Sequence, residues 1–140
     1  TDQGLNSIGS IPNLIHLHIM STRITAAGLN RLQNAKNLEL LFAHDDRVSN
    51  DVTEFLQQAP NLHFVALSRS DVTTAILPTL AEMKSLNLIG LTGTSIKPED
   101  CHILKSLPNL RFLELTKESA TPEEVQKLQD AIPWCDVVLK

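Results

Sequence analysis

The sequence predicts an α/β solenoid of stacked 24-residue units, with a parallel sheet on its concave side and helices or 3₁₀ segments on its convex side. Three observations carry the prediction. Leucine returns at one phase, at Leu14, Leu38, Leu62, Leu86 and Leu110, and the next step lands on Trp134. Within each unit, a two-residue apolar alternation gives way to a helical spacing. Where one gives way to the other, a hydroxyl residue usually stands. Fixed-period self-similarity of this kind is the signature of a repeat architecture, in which each unit is one strand–turn–helix layer.

The strand half comes first. Leu14, Leu17 and Ile19 recur as Leu38, Leu41, Ala43, then Leu62, Val65, Leu67, then Leu86, Ile89, Leu91, then Leu110, Leu113, Leu115. The last two members of each set alternate, so the side chains between them turn to the opposite face. Five residues after the third member comes Ile24, Val48, Val72, Ile96 or Ala120; thirteen after it comes Leu32, Leu56, Leu80, Leu104 or Leu128. The residues before each first leucine also recur, as Pro12-Asn13, Lys36-Asn37, Pro60-Asn61 and Pro108-Asn109, with Lys84-Ser85 breaking the asparagine pattern.

The returning half, such as 25–35, places Leu29 and Leu32 at helical spacing. It opens on Thr1, Thr25, Ser49, Thr73 and Thr121, whose hydroxyls can cap a helix N-terminus. Lys97 is the exception, followed by Pro98 at a tolerated first-turn position. Thr121-Pro122-Glu123-Glu124 reads as a full capping box. One unit cannot bury its own apolar edge, so neighbours stack around a shared core. Their strands then lie parallel, ~4.8 Å apart, with right-handed crossovers.

Segments such as Leu91-Thr92-Gly93-Thr94-Ser95-Ile96 and Thr25-Ala26-Ala27-Gly28-Leu29 resemble the 24-residue leucine-rich repeats common in bacterial proteins, and the resemblance covers essentially the whole chain. It implies a right-handed leucine-rich repeat solenoid, curved, and used mostly for protein recognition. One departure stands out. The family usually puts Asn, Thr or Cys at the buried turn position nine residues into the unit, where this chain has Thr22, Asp46, Ser70, Thr94 and Glu118. Asp46 and Glu118 are costly there unless hydrogen-bonded or swung outward.

The chain therefore reads as a single domain, 1–140, with a partial unit at 1–13, units starting near 14, 38, 62, 86 and 110, and a closing strand at 134–140. It begins in mid-unit, Thr1 matching Thr25 and Ile8 matching Leu32, which reads as a boundary cut from a longer array; the alternative is an edge that pairs with another subunit. The last helical half is polar, as a terminal unit should be, and residues 131–137 resemble the short Pro-x-Cys-x-Val strand that closes many such arrays. Either Trp134 or Cys135 can take the first leucine position. Trp134 is favoured, because it keeps Val137 and Leu139 pointing inward.

Composition narrows the function classes. The net charge of −4, with 12 basic residues scattered along the chain, argues against nucleic acid, which needs a Lys/Arg-rich face. No apolar run approaches the ~18 residues of a membrane span, and the N-terminus lacks signal-peptide character. A cleaved signal or a larger parent would leave the same trace, so the compartment stays open. Cys101 and Cys135 show no metal-ligand pairing and read as free thiols; Cys101 aligns with Leu29 and Leu77 and reads as a small core residue. Neither a Gly-rich phosphate loop nor a Gly-x-Ser-x-Gly elbow is present, so no catalysis and no cofactor are expected.

What remains is the concave face. One predicted row is His16, Leu40, Phe64, Leu88, Phe112 and Asp136; the next is His18, Phe42, Ala66, Gly90, Glu114 and Val138. Three of the four phenylalanines fall there. An apolar patch with aromatic anchors marks an interface, so Leu40, Phe42, Phe64, Leu88 and Phe112, with His16 and His18, are the candidate partner-binding residues for a protein or peptide. Lateral packing that stabilises the sheet is the competing reading. His16, His18 and His44-Asp45-Asp46 raise a divalent-ion site, but a lone His-x-His is a weak motif and solvated polar residues are the reading taken; no metal is expected. His63 and His102 have no evident partners. The second function carried forward is assembly through the N-terminal edge.

Overall fold

The computed structural model describes residues 1–32, 35–44 and 47–140. Among them the chain forms one six-stranded parallel sheet in chain order, β1 (His16–Met20), β2 (Leu40–His44), β3 (Phe64–Ala66), β4 (Leu88–Gly90), β5 (Phe112–Leu115) and β6 (Asp136–Leu139). Every register pair is 24 residues apart, from His16 opposite Leu40 to Phe112 opposite Asp136. Returning segments lie on one side of this sheet. They include α1 (Asp2–Ile8), α2 (Ala26–Leu29), α3 (Thr53–Gln57), α4 (Leu77–Glu82), a 3₁₀ segment over Pro98–Ser106 and α5 (Pro122–Ala131).

The alternation read from the sequence sets which side chains go inside. Leu41 and Ala43 of β2, like Leu17 and Ile19 of β1, are buried, while their neighbours in sequence stand on the other face. They meet Leu32, Leu56, Leu80, Leu104 and Leu128 from the returning halves in one continuous core. Taking each such leucine out of water contributes roughly 1.5–3 kcal/mol, and no single unit could do so alone. Phe55, the phenylalanine outside the predicted rows, is also fully buried there.

Capping follows the sequence in part. The hydroxyls of Thr25, Thr73 and Thr121 accept from the backbone N–H groups of Gly28, Ala75 and Glu124. The capping box closes as the Glu124 carboxylate takes the Thr121 N–H at 2.8 Å. At Lys97, the Asp100 carboxylate serves instead, accepting the Lys97 N–H at 2.9 Å. Thr1 and Ser49 depart from expectation: neither makes a side-chain cap bond. The residues after them reach into the next unit. Asp2 accepts from Thr25 N–H at 2.9 Å and from its hydroxyl at 2.7 Å, and Asn50 takes Thr73 N–H at 2.9 Å while donating to its hydroxyl at 2.8 Å. A rung between units replaces a cap within one.

A second set of rungs explains the recurring asparagine. Asn61 donates to Lys36 O at 2.7 Å and Asn109 to Lys84 O at 2.9 Å, each tying its loop to the loop of the preceding unit. Ser85, which breaks the pattern, does the same through its hydroxyl, to Pro60 O at 3.0 Å. The turns after β1, β3 and β4 hold a left-handed residue at one phase, Ser21 (φ 51°), Arg69 (φ 52°) and Gly93 (φ 75°), so the sequence supplies glycine at only one of these three positions. At the ninth position Ser70 and Thr94 bond back to Leu67 O and Leu91 O. Glu118 is exposed, which removes its burial cost; Asp46 lies outside the described residues.

The closing strand corrects one expectation. Leu113 pairs with Val137 and Leu115 with Leu139, as the Trp134 register requires. Yet Trp134 is 41% exposed, and Cys135 fills the core position, fully buried. A thiol fits a closed core gap, whereas the indole N–H needs a partner; from outside it donates to Leu107 O at 3.2 Å. Gln129 seals this end by donating to Cys135 O at 2.7 Å and accepting from Val137 N–H.

The Asp2 rung has a pH signature. Partial burial raises the Asp2 pKa, but the two Thr25 hydrogen bonds, with the charges of Arg31 and the N-terminus, together outweigh it, so the net shift is downward. A depressed carboxylate contributes stability above its unfolded pKa, about 3.9, that disappears as pH falls through the folded value. Asp2→Asn keeps the rung in the neutral form already used by Asn50. Its melting temperature should therefore drop less between pH 6 and pH 3 than that of the parent chain. Parallel melting profiles would contradict this account.

Candidate functional site

The sheet face turned away from the helices gathers all the predicted partner-binding residues. Register places His16, Leu40, Phe64, Leu88 and Phe112 side by side across the strands, and His18 beside Phe42 in the next row. Phe64 is 37% exposed and Phe112 45%; Leu40, Phe42 and Leu88 are half-buried; His16 and His18 are exposed. Phe42 is stacked between two imidazoles, with His18 at 5.0 Å and His44 at 5.6 Å between ring centroids. Such offset aromatic contacts add roughly 0.5–1.5 kcal/mol each beyond area burial. Lateral packing and exposure thus coexist on this face: Phe42 is held by its neighbours, while Phe64 and Phe112 present free ring surface.

The second row dips in its middle. Ala66 and Gly90 are buried between Phe42 and Glu114, and a Cβ at Gly90 would come within 2.9 Å of the Ala66 methyl. Only glycine lets the strands sit this way. The Glu114 carboxylate leans over Gly90, its Oε2 3.6 Å from where that Cβ would be, while its other oxygen is paired with the Lys140 ammonium.

A third row was missed from sequence. Two residues beyond the second row come Met20 and His44, the last residues of β1 and β2, and then Ser68, Thr92, Thr116 and Lys140 just past the ends of β3 to β6. His44, Ser68, Thr92 and Lys140, with Arg69 and Glu114, line a cavity of about 310 Å³. Extending the two-residue alternation by one step would have found the row, but nothing in composition signals a cavity there.

The histidines divide. His63, expected to be without a partner, lies 2.9 Å through Nδ1 from Ser85 O. No group of three His, Cys, Asp or Glu side chains close enough to hold a metal ion occurs among the described residues. Asp45 and Asp46, the acidic part of the raised ion site, lie outside them. Cys101 and Cys135 are buried free thiols. Burial, with help from Asp100, pushes the Cys101 thiol up to about 12; burial, with Asp136, pushes Cys135 up to about 11. No helix among the described residues is long and apolar enough to cross a membrane.

No family model and no curated protein matches the sequence. Solved structures do match the fold. A leucine-rich repeat protein of Leptospira interrogans superposes with a TM-score of 0.59 at 18% identity, covering 93% of this chain and 38% of that one. The chain has the leucine-rich repeat fold. An internalin of Listeria monocytogenes matches with a TM-score of 0.49 at 14% identity, over 95% of this chain and 49% of its own. The chain thus spans less than half the length of either protein.

Within a leucine-rich repeat, the two cysteines sit at core positions, and their thiols are held protonated and covered. A nucleophile must be a thiolate within reach of its target. Ellman's reagent should label neither cysteine in the native chain at pH 8 and both after unfolding in urea. Rapid native labelling of either would show that its burial is wrong.

Proposed function

We propose that the chain is a recognition module that binds a protein or peptide on its concave face, through Leu40, Phe42, Phe64, Leu88 and Phe112 with His16 and His18 at the rim. The observation that carries this reading is the exposed ring surface of Phe64 and Phe112 in one apolar row. Exposed aromatics in a contiguous apolar patch are favoured anchors for a partner, and water contact there costs free energy that a partner would relieve. The reading gives the chain no chemistry of its own. Replacing both phenylalanines by serine should abolish capture of the partner from an extract of the source cells while leaving the melting temperature nearly unchanged. Undiminished capture, or a large loss of stability, counts against it.

A second reading is favoured by a separate observation. Ile11 is 45% exposed, although Ala35, Ala59 and Leu107 at the same phase are buried. Ile8 and Leu14 are likewise only partly covered, where their counterparts Leu32 and Leu38 are buried. Among the described residues β1 is also an edge strand of the sheet. Such an edge is a template for another strand, and here that would be assembly through the N-terminal edge. Light scattering on the 140-residue chain should then show a concentration-dependent dimer that Ile11→Asp disperses. A monomer at every concentration would remove this reading.

A further inference from the structure

The cavity beside the apolar row holds polar groups that the fold leaves unused. Ser68 is only 5% exposed, yet its hydroxyl has no hydrogen-bond partner among the described residues. Its neighbour in register, Thr92, has a hydroxyl shut off from solvent and likewise unpartnered there. Elsewhere on these turns hydroxyls are satisfied: Ser70 and Thr94 bond to backbone carbonyls at 2.6 and 2.7 Å. A buried hydroxyl without a partner is destabilising, and such groups are uncommon enough to require a reason. A shut-off hydroxyl at Thr92 beside an unbonded one at Ser68, both on residues lining one cavity of about 310 Å³, points to a ligand.

The remaining lining says what kind. Glu114 spends one carboxylate oxygen on Lys140 and leans the other over the Ala66–Gly90 dip. At the dip itself the charged atom nearest Gly90 is Glu114 Oε2, which turns away a carboxylate, while Lys140 and Arg69 on the same lining turn away an ammonium. Hydroxyl donors on one side and a carboxylate acceptor on the other suit a neutral group with both functions. We propose that this cavity is a subsite for a primary carboxamide, the side chain of an Asn or Gln presented by the protein bound on the concave face. Its carbonyl accepts from Ser68, and from Thr92 once that hydroxyl turns into the cavity; its NH₂ donates to Glu114. The protein source of the carboxamide rests on the concave-face reading; the chemistry of the subsite does not.

The test uses propionamide as the probe, with propionate and n-propylammonium as controls, titrated into the chain and followed by the backbone amide resonances of Ser68, Gly90 and Thr92. Propionamide should produce saturable shifts at these three residues. Ser68→Ala should weaken that binding roughly tenfold, the loss of about one hydrogen bond. Thr92→Val should weaken it too, and both variants should melt at or above the parent temperature, because each removes a hydroxyl that makes no hydrogen bond among the described residues. Absence of a saturable propionamide shift, tighter binding of either charged probe, or a fall in melting temperature in both variants overturns the proposal. If propionamide binds while the serine variants of Phe64 and Phe112 still capture their partner, the carboxamide site stands and its protein source on this face falls.

Discussion

Backbone hydrogen bonds between neighbouring strands hold each unit 24 residues out of step with the next, and the rest of the structure follows from that offset. Because side chains alternate with a period of two, a slip of one residue would send every core leucine to the solvent face. The register is the same in all five strand pairs, including the last, where the unit has lost its leucine. Side-chain rungs reinforce it on both sides of the sheet. Asp2 and Asn50 tie one turn to the next at the helical entrance, and Asn61, Ser85 and Asn109 tie the loops before the strands.

The same offset builds the candidate site. Residues that are distant in sequence become lateral neighbours only because the strands stay in phase, so Phe64, Leu88 and Phe112 form a row although no two are within 20 positions of each other. It also makes the row uneven. Buried Ala66 and Gly90 leave a dip between Phe42 and Glu114, while the first row keeps large side chains at the same strands. Apolar surface and a polar cavity therefore adjoin, an arrangement suited to a partner that offers both.

Much of this was legible beforehand, for a definite reason. Leucines in a stacked array are buried by the same contacts in each layer, so identical demands produce identical residues, and a single sequence carries its own alignment. The concave rows were legible too, since a strand's two faces are fixed by parity. The individual corrections share a different origin. Thr1 and Ser49 looked like caps, yet the neighbouring Asp2 and Asn50 compete for hydrogen bonds across the unit boundary. Trp134 held the expected phase, yet its volume and its N–H kept it outside while Cys135 took the core.

The sequence by itself determined the period, the strand and helical halves, the inward and outward residues, and the face on which the phenylalanines stand. Each depends on local periodicity, which is written along the chain. Only the tertiary structure decided how far each outward side chain is covered, which caps form, and that Ser68 and Thr92 line one cavity with hydroxyls unbonded among the described residues. Those depend on the sizes and hydrogen-bonding groups of neighbours one unit away. They are set by lateral packing between strands, which no single unit's sequence contains.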